Sequence, residues 1–179
     1  LGFRHFAYDY RDQHIPEFKE EIGVLKSHGI ELSAVWLWLE PAEDTLFNKA
    51  SRQILDILAE TGSRTDLWVS FPVHFFEGLT EEEKLGKGVD AIETVLHWAE
   101  EHGCTLSLYN HGDWFGEPEN QIRIIEVLAQ PLGRDERIHR HIGIGHGGAI
   151  FSAADTAVGM ALLGLIERDE TMVTIEMKF

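Results

Sequence analysis

His28-Gly29-Ile30-Glu31-Leu32-Ser33-Ala34-Val35-Trp36-Leu37-Trp38-Leu39-Glu40 is the stretch on which the fold turns. Its first two residues close a helical pattern, because Gly29 can take the left-handed conformation that ends a helix. Residues 30–39 are then apolar at nearly every position. A strand with one wet face alternates apolar and polar residues, whereas a strand covered on both faces does not need to. This stretch therefore reads as a buried strand of a parallel sheet, and Glu40 is the first charge beyond its end.

The same alternation extends in both directions. On the N-terminal side, residues 2–10 hold a β-rich run with Phe3, Phe6 and Tyr8. Ile15, Phe18, Ile22 and Leu25 then recur at helical spacing, with Pro16 suited to a first turn. On the C-terminal side, Leu46, Ala50, Ile54 and Leu58 predict a helix that stops at Gly62, and residues 66–71 predict a strand. Thr80 caps a long acidic helix carrying Val89, Ile92, Val95, Leu96 and Ala99, which Gly103 stops. Residues 104–109 predict a fourth strand, followed by a loop and a helix with Ile122, Ile125 and Leu128. Strand and helix in strict alternation mean an α/β fold with a parallel sheet. Four such units make half of an eightfold barrel or most of an open doubly wound sheet. No GxGxxG or GxxxxGKS loop follows a strand, which weakens a nucleotide-binding reading.

Composition narrows the function. The 179 residues include 31 acidic and 15 basic side chains, a formal net charge of -16, which argues against a nucleic-acid partner or attraction to anionic lipid. Hydrophobic residues form 44%, enough for a core. No apolar run is long enough to span a bilayer, no signal peptide is visible, and Cys104 is the single cysteine, so the expected setting is cytoplasmic. The expected partner is a small molecule.

Ligands of barrels and doubly wound sheets sit at the C-terminal strand ends. The polar residues there are Asp9 and Arg11 after the first strand, Glu40 after the second, His74 after the third, and Asn110, His111 and Asp113 after the fourth. Carboxylates and imidazoles on several adjacent strands suit acid–base catalysis or a divalent metal. The plain alternative is that loops carry polar residues anyway. The run Leu108-Tyr109-Asn110-His111-Gly112-Asp113-Trp114-Phe115-Gly116-Glu117-Pro118-Glu119-Asn120-Gln121 resembles the fifth-strand segment of xylose isomerase-like proteins, the sugar phosphate isomerases and epimerases. Phe6-Ala7-Tyr8-Asp9-Tyr10-Arg11 and His28-Gly29-Ile30-Glu31-Leu32 fit the second and third units of that barrel. The resemblance covers residues 1–130 and implies part of a (β/α)8 TIM barrel of about four units. It implies isomerisation or epimerisation of a small sugar through an enediolate, assisted by a divalent ion (Mn, Mg or Zn). On this reading Asp9 and Glu40 are catalytic, Asn110 and Trp114 bind substrate, and His111 and His74 hold the metal. Asp113 stands where the family would have Gly.

Beyond Leu128 the pattern changes. Gln130-Pro131-Leu132-Gly133-Arg134 is a turn or linker, and Gly143-Ile144-Gly145-His146-Gly147-Gly148 opens a helix over residues 149–167 that is apolar on almost all faces. Glycines at a helix start let N–H groups approach a developing oxyanion, and Asp155 two turns on would be a costly buried carboxylate without work to do. A Gly-rich turn with a locally paired Asp is the plain alternative. Residues 172–179 alternate with period two, a pattern of antiparallel sheets. His146-Gly147-Gly148-Ala149-Ile150-Phe151-Ser152-Ala153-Ala154-Asp155-Thr156-Ala157 resembles the signature of hotdog-fold thioesterases of the phenylacetic-acid-degradation type. The resemblance implies that residues 131–179 form a partial hotdog segment, a central helix plus a strand, hydrolysing acyl-CoA as a homo-oligomer without a cofactor. Asp155 would be base or nucleophile, Gly148 an oxyanion donor, His146 a support of the turn or thioester, and Gly147 a substrate contact. Both pieces are shorter than the folds they resemble, so a third expectation is a truncated or joined chain without activity.

Overall fold

The computed structural model describes residues 2–40, 47–110 and 113–129. Nine elements follow in order: β1 (His5–Tyr8), α1 (Ile15–Ser27), β2 (Glu31–Trp38), α2 (Lys49–Thr61), β3 (Asp66–Ser70), α3 (Glu81–His102), β4 (Thr105–Leu108), α4 (Asp113–Gly116) and α5 (Pro118–Ala129). Short 3-10 turns at Asp12–His14 and Val73–Phe76 precede α1 and follow β3. The chain is thus mixed α/β. Its four strands are all parallel and lie in the order β1-β2-β3-β4. Each strand pairs with its sequence neighbour, so the order of the described strands never reverses.

Local chemistry sets the helix limits. Pro16 lies in the first turn of α1, where its missing N–H costs nothing. Asn48 caps α2 by accepting from the Ser51 amide at 2.8 Å. Thr80 and Glu83 form a reciprocal capping box at the start of α3. Gly103 ends α3 with φ 69°, and its amide returns to the last carbonyls of the helix.

The two faces of the sheet differ. Val35 and Leu37 from β2 with Leu39 just beyond it, Leu67 and Val69 from β3 with Phe71 just beyond it, and Leu106 and Leu108 from β4 are almost wholly buried. They form one core with Phe18, Ile22, Ile54, Leu58, Ile92, Val95, Ala99, Ile124 and Leu128 from the helices. The alternate residues Trp36, Trp38, Trp68, Ser107 and Tyr109 are half-buried or exposed and lie outside that core. Parallel strand partners point the same way, so Trp36 stands beside Trp68, Trp68 beside Ser107, and Trp38 beside Ser70. The apolar run that announced β2 is therefore two rows: an aliphatic row against helices and an aromatic row on the other face.

The helix expected around Ile122, Ile125 and Leu128 is α5; it buries Gln121, Ile124 and Leu128 and packs Ile125 against the core, while Ile122 is 44% exposed. α5 packs chiefly on α3, where Gly88 leaves room for Ile124; a Cβ at Gly88 would lie 2.9 Å from Ile124 Cδ1. That contact picks the face, and sequence spacing alone does not contain it. Residues 131–179, on which the hotdog segment was read, lie outside the described residues, as does Leu46.

Candidate functional site

The C-terminal ends of β1 and β2 and the start of α2 enclose an open cleft of about 650 Å³. Tyr10, Arg11, Asp12, Trp36, Trp38, Glu40, Asn48, Lys49 and Ala50 line it. Trp36 and Trp38 reach it because residues two apart on a strand share a face. Their rings meet edge to face, with centroids 5.7 Å apart and an interplanar angle of 87°. The Trp36 indole donates to Ser70 Oγ at 2.6 Å, which ties this wall to β3.

A hydrogen-bonded knot fixes the rim. The Ser51 hydroxyl, wholly buried, donates to the Trp38 carbonyl at 2.7 Å, and the Asn48 amide nitrogen donates to the same oxygen at 3.4 Å. The Tyr10 hydroxyl lies 3.5 Å from Ser51 Oγ. The ends of β1 and β2 are thereby joined to the cap of α2, and the chain leaving β2 toward Glu40 starts from a fixed point. Burial pushes the Tyr10 phenol above its usual range, so it stays protonated and available as a donor.

The structure brings together two of the residues singled out from the sequence. His74 Nε2 lies 3.5 Å from Glu40 Oε1, although the two follow different strands. Both are partly open to solvent. Asp9 is engaged with its neighbour instead: Arg11 Nη1 donates to Asp9 Oδ1 at 2.7 Å and also to the Tyr10 carbonyl at 3.0 Å. That carboxylate raises the Arg11 guanidinium above its usual value. Asn110 stands just beyond β4, half-buried. Trp114 lies apart from the cleft. Its indole donates to Glu81 Oε2 at 2.7 Å and its ring packs on Phe76 at 4.9 Å. His111, His146, Gly147, Gly148 and Asp155 lie outside the described residues.

Among the described residues, no three His, Cys, Asp or Glu side chains converge as a metal site requires. The Glu40–His74 pair offers two donors and Asp9 faces Arg11, so the described donors alone do not make the expected metal site.

Sequence reasoning missed Tyr10, Asn48 and Lys49 as cleft residues, and it used Trp36 and Trp38 only as strand formers. The i, i+2 spacing of the two tryptophans was the available signal. Asn48 was legible as a helix cap, but its second role, on the Trp38 carbonyl, depends on where β2 ends in space.

Comparison of the sequence with protein-family models, with curated proteins and with solved structures returned no match. What fold and site define together is an α/β protein with a strand-end cleft, walled by aromatic rings and flanked by a carboxylate–imidazole pair. No helix among the described residues is long and apolar enough to cross a membrane.

Proposed function

We propose that residues 1–130 act as a sugar isomerase or epimerase-like unit, moving a proton beside the carbonyl of a small sugar. The observation that carries this reading is the Glu40–His74 pair, 3.5 Å apart at the ends of adjacent strands and next to the aromatic cleft. The unreversed strand order β1-β2-β3-β4 supports it, because consecutive parallel strands wound in one direction are how a (β/α)8 barrel is built. An open doubly wound sheet would place its ligand at a reversal of strand order instead.

The chemistry follows from the two groups. The Glu40 carboxylate removes the proton from the carbon next to the carbonyl, leaving an enediolate and a carboxylic acid. Returning the proton to the neighbouring carbon, while a hydroxyl proton passes from one enediolate oxygen to the other, completes an isomerisation; a proton delivered to the opposite face of the same carbon by a second acid completes an epimerisation. The His74 imidazole, within ion-pair reach of Glu40, exchanges a proton with it and keeps the carboxylate oriented. The Tyr10 hydroxyl is a donor for a sugar oxygen. A divalent ion would polarise the carbonyl, but the described donors do not form its site, and no step here depends on it.

The sequence motif His146-Gly147-Gly148 with Asp155 favours a second reading for residues 131–179: acyl-CoA hydrolysis, with Asp155 as base or nucleophile. One experiment separates the two. The full chain is incubated in D₂O with a panel of aldoses and ketoses, and separately with acyl-CoA thioesters. Deuterium entering the carbon beside the carbonyl, reduced at least about 100-fold by Glu40→Gln, is the expected result. No exchange with any sugar, or exchange indifferent to Glu40→Gln, would sink the sugar reading. Thiol release that Asp155→Ala abolishes would put the thioesterase reading in its place.

A further inference from the structure

His74 stands on a short turn, so whatever holds the turn sets where the imidazole points. The turn is Val73–Phe76, a single stretch of 3-10 helix after β3. Its two halves face opposite ways. Phe75 and Phe76 are each 3% exposed, and their rings pack on Phe71 with centroids 4.5 and 5.5 Å away. Val73 is 63% exposed, and the His74 side chain 60%. The buried rings anchor the inward half. The outward half, His74 included, depends on the backbone of a four-residue turn, and 3-10 hydrogen bonds have poorer geometry than those of an α-helix.

Lys87 of α3 closes on this turn. Its Nζ donates to the Phe75 carbonyl at 2.5 Å and lies 4.0 Å from the centroid of the Phe75 ring. Both contacts fall on the residue that follows His74. A cation suits the closing end of a helical turn, where the last carbonyls need donors. α3 brings Lys87 there because it runs close to the turn: a Cβ at the neighbouring Gly88 would lie 3.7 Å from Phe76 Cε1. α3 is itself held, by the capping box at Thr80 and by the Trp114 indole on Glu81. A fixed helix thus grips the carbonyl and the ring of one residue in a turn that otherwise has few restraints of its own.

We propose that Lys87 is a positioning residue: by holding Phe75 it fixes the turn and so delivers the His74 imidazole to Glu40. The inference rests on the Glu40–His74 reading of the site and adds the residue that sets the geometry of that pair. Geometry is read first and turnover second, both on the full chain. The NMR signal of the His74 ring Cε1–H is assigned by its loss in His74→Gln, then followed as Glu40→Gln is introduced. In the Lys87→Met background Glu40→Gln is expected to move this signal less than about half as far as in the parent, because the imidazole no longer stands beside residue 40. Lys87→Arg keeps a charged donor for the same carbonyl and restores the response. In the D₂O exchange assay with the sugar panel, Lys87→Met lowers kcat about tenfold with little change in KM, and Lys87→Arg recovers it. A residue that only adds stability would lower the unfolding midpoint and leave the His74 response unchanged. Circular dichroism identifies a Lys87→Met chain that does not fold, and Lys87→Gln, polar but shorter and uncharged, then takes its place.

An undiminished His74 response in Lys87→Met, or undiminished exchange, overturns the inference and leaves the sugar reading standing. A parent that exchanges no deuterium sinks the sugar reading, while the His74 response still decides the role of Lys87. A His74 signal indifferent to Glu40→Gln in the parent overturns both together.

Discussion

Asp113 has a φ of 40°, the one positive value among the described residues that are not glycine. Asp and Asn tolerate this region better than other side chains, because their short polar groups bond locally. The backbone here has the conformation that favours Gly. Asp113→Val should destabilise by about 1–2 kcal/mol, since a β-branched chain crowds the backbone at positive φ. Asp113→Gly should stay within about 1 kcal/mol of the parent, relief of strain being offset by greater freedom of the unfolded chain. Urea unfolding of both variants measures the difference; equal stability of Asp113→Val and Asp113→Gly would contradict this account. Cys104 shows the opposite case, a residue whose role is packing: it is 1% exposed, and burial pushes its thiol up, away from the reactive thiolate.

Glu81 shows how elements are tied to one another. It opens α3, receives the Trp114 indole of α4 at 2.7 Å, pairs with Lys84 at 2.9 Å, and faces Arg123 of α5 at 3.7 Å. The Lys84 hydrogen bond first, then that of Trp114, holds its carboxyl below the usual glutamate value. A carboxyl depressed in the folded state stabilises the fold above its unfolded pKa, near about 4.3. That contribution fades as pH falls from there through the lower folded value. The stability gap between the parent and Glu81→Gln should accordingly be present at pH 7 and shrink below about pH 4. Denaturant midpoints across pH 2.5–7 (on the order of six points) test it, and a gap that widens in acid would refute it. The acidic first turn of α3 was plain in the sequence, as were Thr80 and Gly103 as its limits. The three-element junction at Glu81 was not, because Trp114 and Arg123 are distant in sequence and belong to α4, which was read as loop, and to α5.

For the whole molecule, a net charge of -16 on 179 residues means the compact state repels itself. Its ion pairs, Lys19–Glu60, Lys84–Glu81 and Arg11–Asp9 among them, are largely exposed and contribute little. Screening of the repulsion should outweigh screening of these pairs. The midpoint of thermal unfolding should therefore rise as NaCl goes from about 0.02 to 0.3 M, where the Debye length falls below about 10 Å. A midpoint that falls with salt would mean the surface pairs matter more than net charge does. The aromatic row of the sheet adds a second molecular-scale feature. Trp68 stacks on Tyr109 at 5.8 Å, and Asp66 accepts from Trp68, Thr105 and Ser107 at 2.7–2.9 Å, so these four polar side chains satisfy one another across β3 and β4.

The sequence by itself determined the alternation of the four strands with the longer helices, the limits at Thr80, Gly29, Gly62 and Gly103, and the parallel class of the sheet. These are set by interactions within a few residues: a Gly after a helical stripe, a Thr before one, and apolar runs too continuous for a strand with a wet face. Tertiary structure alone decided which residues meet. Glu40 and His74 are 34 positions apart, and no local pattern says that the ends of β2 and β3 carry them to ion-pair distance. Trp36 and Trp38 became a cleft wall, and Trp114 a partner of Glu81, through strand register and helix packing. Register and packing depend on the fit of whole surfaces, and a single stretch of chain contains only one side of each.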